Sequence, residues 1–534
     1  MAREPSDLIL ADMIAARAER NPDFPVLTFE CEGKQDEVRS FAMLQERGNR
    51  IAAELIARGL GRGERFALMM RNHPEFVETM VGASISATVV VPIDPRSKGE
   101  KLAYTLRNAG CKGVVIADYN LAQLEEIRAS VPDLGFVLAL ESREDGAPPI
   151  GDFRGIESLG EVLERPAETV GIRLESASDP FQIIYTSGTT GDPKGVVMES
   201  ARFGGFSLLG RVIFQFAPDE KLYTGLSLTH GNAQAITLSG ALAIELPAVL
   251  SRRFTKSRLW DVCRRHGCTT FSMLGGMATA IYSEPVRDDD ADNPVRMVTS
   301  AGMPHAIWEA FEKRFNVKIF EWYGAVEGGL AFKPIGKGPM GSFGKPAPGL
   351  DMKILDENDN ECPPFVPGEL CSRPASGESA QVEHHGNPEA SRNKTRGGWL
   401  RSGDIGHRDE EGWLYFDYRK GGGIRRSGDF VNPGFVEKVI AEHPDVSDVC
   451  VYGVPAKSGA PGEKDVVAAI VPRAGAKLDP KSVFELCRRG LESNFVPSYL
   501  QVLDEIPRTP SEKPIERFLI ERFAPDAEGV YICD

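Results

Sequence analysis

Residues 181–195 read FQIIYTSGTTGDPKG, a strand-like apolar run that passes straight into glycine, hydroxyl residues and one lysine. Thr186, Ser187, Gly188, Thr189, Thr190, Gly191 and Lys194 form a loop suited to a polyphosphate. Glycine removes the steric bar to close backbone approach, hydroxyls add donors, and the lysine supplies countercharge. The spacing is not that of a P-loop NTPase, whose lysine directly follows a glycine, because Lys194 follows Pro193.

Outward from this loop, apolar β-branched runs alternate with helical stretches. Strand-like runs at 67–70, 88–93 and 113–116 are each followed by a helical segment, from 74, from about 98 and over 121–130. The alternation resumes at 269–273, 295–300 and 318–321, with helices near 276–283 and 304–315. This pattern predicts βαβ units and parallel sheets. From 341 to about 415, short runs broken by Pro and Gly predict a β-rich subdomain. The segment DYRKGGGIRRSG at 417–428 holds three consecutive glycines and four cations, and reads as a linker before a small α+β domain. The expected fold is therefore α/β. A large N-terminal domain of two βα layers plus a β-rich subdomain covers 1–418, 419–424 is a hinge, and 425–534 is a small mobile α+β C-terminal domain.

The chain of 534 residues carries 62 Lys and Arg against 77 Asp and Glu, a formal charge of −15, so nucleic acid meets a repulsive average field. Any anionic ligand needs a local basic site. Nine cysteines without a CxxC pair read as reduced thiols, and the pair Cys263 and Cys268 around His266 lacks the second ligand pair of a zinc site. The start, MAREPSDLILADMIAARAER, has no signal-peptide layout and reads as an amphipathic helix. The longest uncharged run, 222–244, contains His230, Asn232 and Gln234 and reads as a buried segment along a polar cleft rather than a transmembrane segment. These features point to a cytoplasmic protein.

The loop TSGTTGDPKG resembles the signature of the adenylate-forming superfamily of acyl-CoA ligases, luciferases and peptide-synthetase adenylation domains. Further matches follow in the family's order, including SLTHGNAQ around His230, Ser300-Ala301-Gly302-Met303-Pro304, Tyr323-Gly324-Ala325-Val326-Glu327, Gly368-Glu369, the RSGDIG run containing Asp404, and Pro507-Arg508-Thr509-Pro510-Ser511-Glu512-Lys513.

The resemblance implies a role for each. His230 orients the acyl carboxylate. Tyr323 and Gly324, with Ala301 and Gly302, border the adenine, while Glu327 holds Mg²⁺, a hard cation that takes carboxylate oxygen. Asp404 accepts from the ribose hydroxyls, and Arg419 reaches ribose or phosphate. Arg425 and Gly428 complete the cofactor-binding set, with Lys420, Arg425 and Arg426 available to CoA phosphates. Lys513 bridges the attacking carboxylate and the α-phosphate. Departures are Val326, which lacks the usual hydroxyl, together with Ser200, Gly421, Glu512 and Pro514.

The implied activity is an ATP-dependent carboxylic acid:CoA ligase that forms acyl-AMP and pyrophosphate, then the CoA thioester. ATP, Mg²⁺ and CoA are the implied cofactors, a small carboxylic acid the substrate, and a homodimer the family-level expectation. Two rivals stay open: an adenylating enzyme for amino acids or other acyl groups with a non-CoA acceptor, and a catalytically weakened homologue that binds acyl groups or nucleotide.

Overall fold

The computed structural model describes residues 4–186, 193–206, 209–420, 424–426, 429–431, 433–457, 464–491, 495–509 and 514–533. They fall into two compact units: Met1–Thr255 with Asp261–Ser272 and Gln381–Asn393, and Lys256–Trp260 with Met273–Ala380 and Lys394–Asp534.

The first unit is built on a seven-stranded sheet in the order Glu157–Ser158, Phe136–Leu140, Cys111–Ala117, Arg65–Met69, Val89–Pro92, Pro180–Thr186, Lys194–Glu199. All pairings are parallel except the last. Val89–Pro92 is buried along its whole length, as expected where both faces are covered. Helix Pro74–Ser86 begins with proline, whose missing N–H costs nothing there, and ends where Ala87 turns left-handed at φ 57°. It crosses Phe41–Ala57 at two glycines. A Cβ on Gly48 would lie 2.5 Å from Val81, and one on Gly82 2.7 Å from Ile51, so only glycine permits this approach.

Further strands of this unit pair Leu222–Thr224 with Ala248–Ser251, and Ala248–Ser251 with Leu27–Glu30, all parallel. The long uncharged run is a composite: strand Leu222–Thr224, a loop, a π-helix Ala233–Leu238 and a short α-helix Ser239–Ile244. All six π-helical residues are buried. Among the described residues, no helix is long and apolar enough to cross a membrane.

In the second unit, Met297–Ala301 lies parallel to Lys318–Ala325, which pairs antiparallel with Gly328–Lys333. The β-rich segment is a four-stranded antiparallel sheet of Leu350–Leu355, Gly368–Pro374, Leu400–Arg408 and Leu414–Arg419. Beyond 424, strands Val446–Pro455, Lys464–Pro472, Tyr499–Val502 and Val530–Ile532 form a small sheet. Its core joins Ile424 and Val431 to Val436, Ile440, Val466, Phe484 and Leu500, with helices Pro433–Ala441 and Pro480–Gly490. The architecture is thus α/β with mixed sheets and a smaller C-terminal sheet, as the alternation predicted.

Candidate active site

In the first unit, the strand Pro180–Thr186 delivers the chain to the glycine-rich loop, and Lys194–Glu199 brings it back. Thr186 and Lys194 are directly opposite, and the Thr186 hydroxyl donates to the Lys194 carbonyl at 3.4 Å. The return strand is held on its other side by Val197 N donating to Glu383 O at 2.9 Å and His385 N donating to Gly195 O at 2.8 Å. Ser187, Gly188, Thr189, Thr190 and Gly191 lie outside the described residues.

The histidine loop is anchored to this strand by a neutral ladder that sequence reading did not reveal. Gln182 and Gln234 are both fully buried; Gln182 Nε2 donates to Gln234 Oε1 at 2.8 Å, and Gln234 Nε2 donates to Leu228 O at 2.7 Å. From the other side, buried Asn72 donates to Leu226 O and Ser251 O and accepts from Leu228 N, each within 2.8–2.9 Å. Asn72 thus reads the backbone polarity of the loop at two points and ties it to the end of strand Ala248–Ser251. His230 follows on a turn closed by its N–H to Ser227 O, and its Nδ1 accepts from Asn232 N at 3.2 Å. That bond leaves the proton of the neutral ring on Nε2.

In the second unit, strand pairing sets Asp404 directly opposite Arg419, and the two side chains form an ion pair. Tyr323 donates its hydroxyl to the other Asp404 oxygen at 2.6 Å and stacks on Phe343 with ring centroids 4.7 Å apart. Asp404 is 5% exposed. Each of its oxygens has a second lone pair, so two further donors can be accepted.

Val326 and Glu327 are the two-residue turn between Lys318–Ala325 and Gly328–Lys333. Glu327 faces Lys394, whose Nζ is 3.2 Å from the carboxylate and also 3.2 Å from Ser402 O. Glu369 accepts from Gly403 N at 3.0 Å and from Lys420 Nζ at 3.3 Å, which ties the Asp404 turn to the residue after Arg419. Gly324 is hemmed in by Trp322, which a Cβ would approach to 2.9 Å.

Ala301 ends its strand and Gly302 follows at φ +91°, a conformation that favours glycine. Glu321, fully buried, accepts from Gly302 N at 2.6 Å and Met303 N at 3.1 Å. Burial pushes its carboxyl up to about 8. Across the strand pair stands Lys333, whose Nζ lies 4.6 Å above the Trp308 ring.

Lys394 and Glu321 escaped sequence reading, and Glu369 entered it only within the Gly368-Glu369 match with no role given: what each does depends on partners that local pattern does not show, Glu327 for Lys394, Gly403 for Glu369 and Gly302 for Glu321. Lys513 and Gly428 lie outside the described residues, as do Gly421 and Glu512, and for Arg425 only the backbone of strand Ile424–Arg426 is described. Ser200 is buried, its N–H on Asp179 O at 2.9 Å. Among the described residues, no group of three or more His, Cys, Asp or Glu is arranged to hold a metal.

The sequence profile described as AMP-binding enzyme matches residues 14–377, and that of the AMP-binding enzyme C-terminal domain matches 436–513. The chain belongs to the AMP-binding enzymes. Within this adenylate-forming superfamily its relatives fall in the acyl-CoA ligase branch. The medium/long-chain-fatty-acid–CoA ligase FadD17 of Mycobacterium tuberculosis is 30% identical over 497 residues, 91% of each chain. The crotonobetaine/carnitine–CoA ligase of Salmonella choleraesuis is 28% identical over 508 residues, 93% of this chain and 96% of the relative. In fold, the chain matches the anthranilate CoA ligase AuaEII in complex with anthranoyl-AMP at a TM-score of 0.84, with 20% identity and 96% of both chains covered. A benzoate CoA ligase from Burkholderia xenovorans LB400 matches at 0.81, with 21% identity and 96% and 99% covered.

Proposed function

We propose that the chain is an ATP-dependent carboxylic acid:CoA ligase. The observation that carries the reading is the Tyr323–Asp404–Arg419 cluster. A buried carboxylate with spare lone pairs, flanked by an aromatic ring and a guanidinium, suits a nucleoside: acceptors for two ribose hydroxyls, a face for a base, and a cation for phosphate. Tyr323, Gly324, Ala301 and Gly302 border the adenine in this reading, Thr186 through Gly191 with Lys194 hold the polyphosphate, and Arg425 and Gly428 contribute to cofactor binding.

Glu327 offers the carboxylate oxygen that Mg²⁺, a hard cation, takes, and its ion pair with Lys394, 3.2 Å away, is a contact the ammonium would exchange for a phosphate oxygen when the metal binds. When bound, the metal supplies charge neutralisation on phosphate oxygens. The chain's own work is positioning and neutralising. In the first half-reaction the substrate carboxylate attacks the α-phosphorus and pyrophosphate leaves, with His230 orienting the carboxylate and Lys513 balancing charge that accumulates on the transferring phosphoryl group. In the second, the CoA thiol attacks the activated carbonyl and AMP leaves. No covalent enzyme intermediate is needed. The domain division at 419–424, with 1–418 carrying acyl and nucleotide binding and 425–534 moving between the half-reactions, belongs to the same proposal, as does operation in the cytoplasm.

The test is pyrophosphate release from ATP and Mg²⁺ across a panel of carboxylic acids, with and without CoA, with mass detection of products. Release that requires an acid and ends in a CoA thioester supports the ligase. Acyl-AMP without thioester points to another acceptor, and nucleotide binding without any product points to a weakened homologue.

A further inference from the structure

We infer that Lys394 is a phosphate-contacting residue that supplies to the α-phosphoryl group the donor Val326 cannot offer; this rests on the ligase reading above. In a nucleotide the α-phosphorus is covalently placed between the ribose and the β- and γ-phosphates. Asp404 is the ribose acceptor in that reading and Glu327 the metal ligand. Lys394 links the two, with Nζ 3.2 Å from Glu327 and 3.2 Å from the carbonyl of Ser402, two residues before Asp404. An ammonium has three donors, and these partners take two.

The chemistry at the turn calls for such a donor. Val326 has only methyl groups at the position next to Glu327. Arg419, paired with Asp404, stands on the ribose side, and Lys420 is paired with Glu369, whereas Lys394 bridges Glu327 and the turn before Asp404. Lys394 is itself part-buried, its side chain 19% exposed, and it ends helix Pro388–Lys394, so its reach is set by a regular element. A part-buried ammonium strengthens any bond to a phosphate oxygen, because less water competes for either partner.

The experiment compares the binding of two ligands by calorimetry: α,β-methylene-ATP with Mg²⁺, which cannot be cleaved at the α-phosphorus, and adenosine, which has no phosphate. Lys394→Met, and Lys394→Gln as a second variant that keeps a donor for Ser402, are expected to weaken the nucleotide about 10- to 100-fold, the size of one charge-assisted bond, while leaving adenosine within about twofold. Adding Val326→Thr to Lys394→Met is expected to restore part of the loss. Equal weakening of both ligands would make Lys394 a structural residue, and undiminished nucleotide affinity or no recovery on Val326→Thr would overturn its assignment to the α-phosphate. The parent reading fails separately, if the unaltered protein gives no acid-dependent pyrophosphate release.

Discussion

The two compact units hold their motif residues by different physics. In the first, the histidine loop is pinned by amides: Gln182 donates to Gln234, Gln234 and Asn72 bond the backbone of 226–228, and none of the three carries charge. In the second, the corresponding work falls to ion pairs, Asp404 with Arg419, Glu327 with Lys394 and Glu369 with Lys420. A neutral network fixes geometry at low electrostatic cost and responds little to salt or pH, because nothing in it titrates. A network of paired charges tolerates the arrival of a highly charged ligand, since each partner can trade an internal contact for one to the ligand. In the proposed reading, the difference teaches that the loop offered to the acyl carboxylate and the cluster offered to the nucleoside place opposite demands on the scaffold.

The comparison is broken most severely by removing a charge that, in the proposed reading, acts only in chemistry. Lys513→Ala is expected to slow acyl-AMP formation by about 100- to 1,000-fold, the typical effect of losing one transition-state donor, while thioester formation from supplied acyl-AMP persists. Single-turnover assays of the two half-reactions check this, and equal loss in both contradicts the role given to Lys513. Next in size, Asp404→Ala is expected to raise the KM for ATP by about 10- to 100-fold through loss of two charge-assisted acceptors. An ATP dependence left unchanged would make Asp404 a structural residue.

On the neutral side, Gln234→Leu strands the buried Gln182 amide and the Leu228 carbonyl, and is expected to cost about 1–3 kcal/mol of stability. Denaturant melts at low and high salt check it. The loss should be the same in both, whereas a loss that shrinks with salt would mean the ladder is coupled to charge.

A pH-dependent effect concerns Glu321, whose carboxyl burial raises to about 8. A raised carboxyl favours the folded state at low pH, where the group is protonated in both states, and that advantage is lost as pH climbs from the ordinary carboxylate range through about 8. Glu321→Gln keeps an acceptor for Gly302 and Met303 and removes the titration. Its melting temperature relative to the unaltered protein should therefore rise between pH 5 and pH 8.5, and a constant difference would contradict the placement of Glu321 as a buried acid.

Much of the scaffold was legible because local pattern and tertiary burial agree. The run at 181–185 became strand Pro180–Thr186, and Pro74 starts its helix as proline at a first turn should. The helix foreseen from 304 begins instead at Trp308, after a 3₁₀ turn His305–Ile307, because Pro304 is extended at ψ 124°. Nor could periodicity show that 222–244 divides into strand, π-helix and α-helix. The site was legible as separate motifs, each short and rich in uncommon residue types. What joins them was not: Gln182 meets Gln234 across 52 positions, a strand against a π-helix, and Tyr323 meets Asp404 across 81, between strands of two different sheets, so the pairing is decided by how separate elements pack.

In the proposed reaction a carboxylate oxygen of the substrate attacks the α-phosphorus of ATP. An acid accepted by the enzyme, labelled with ¹⁸O in both carboxylate oxygens, tests it most directly when AMP and acyl-CoA are weighed after one turnover with CoA. The account predicts one ¹⁸O in AMP and one in the thioester carbonyl. Unlabelled AMP, or label in a phosphate released alongside ADP, would contradict it.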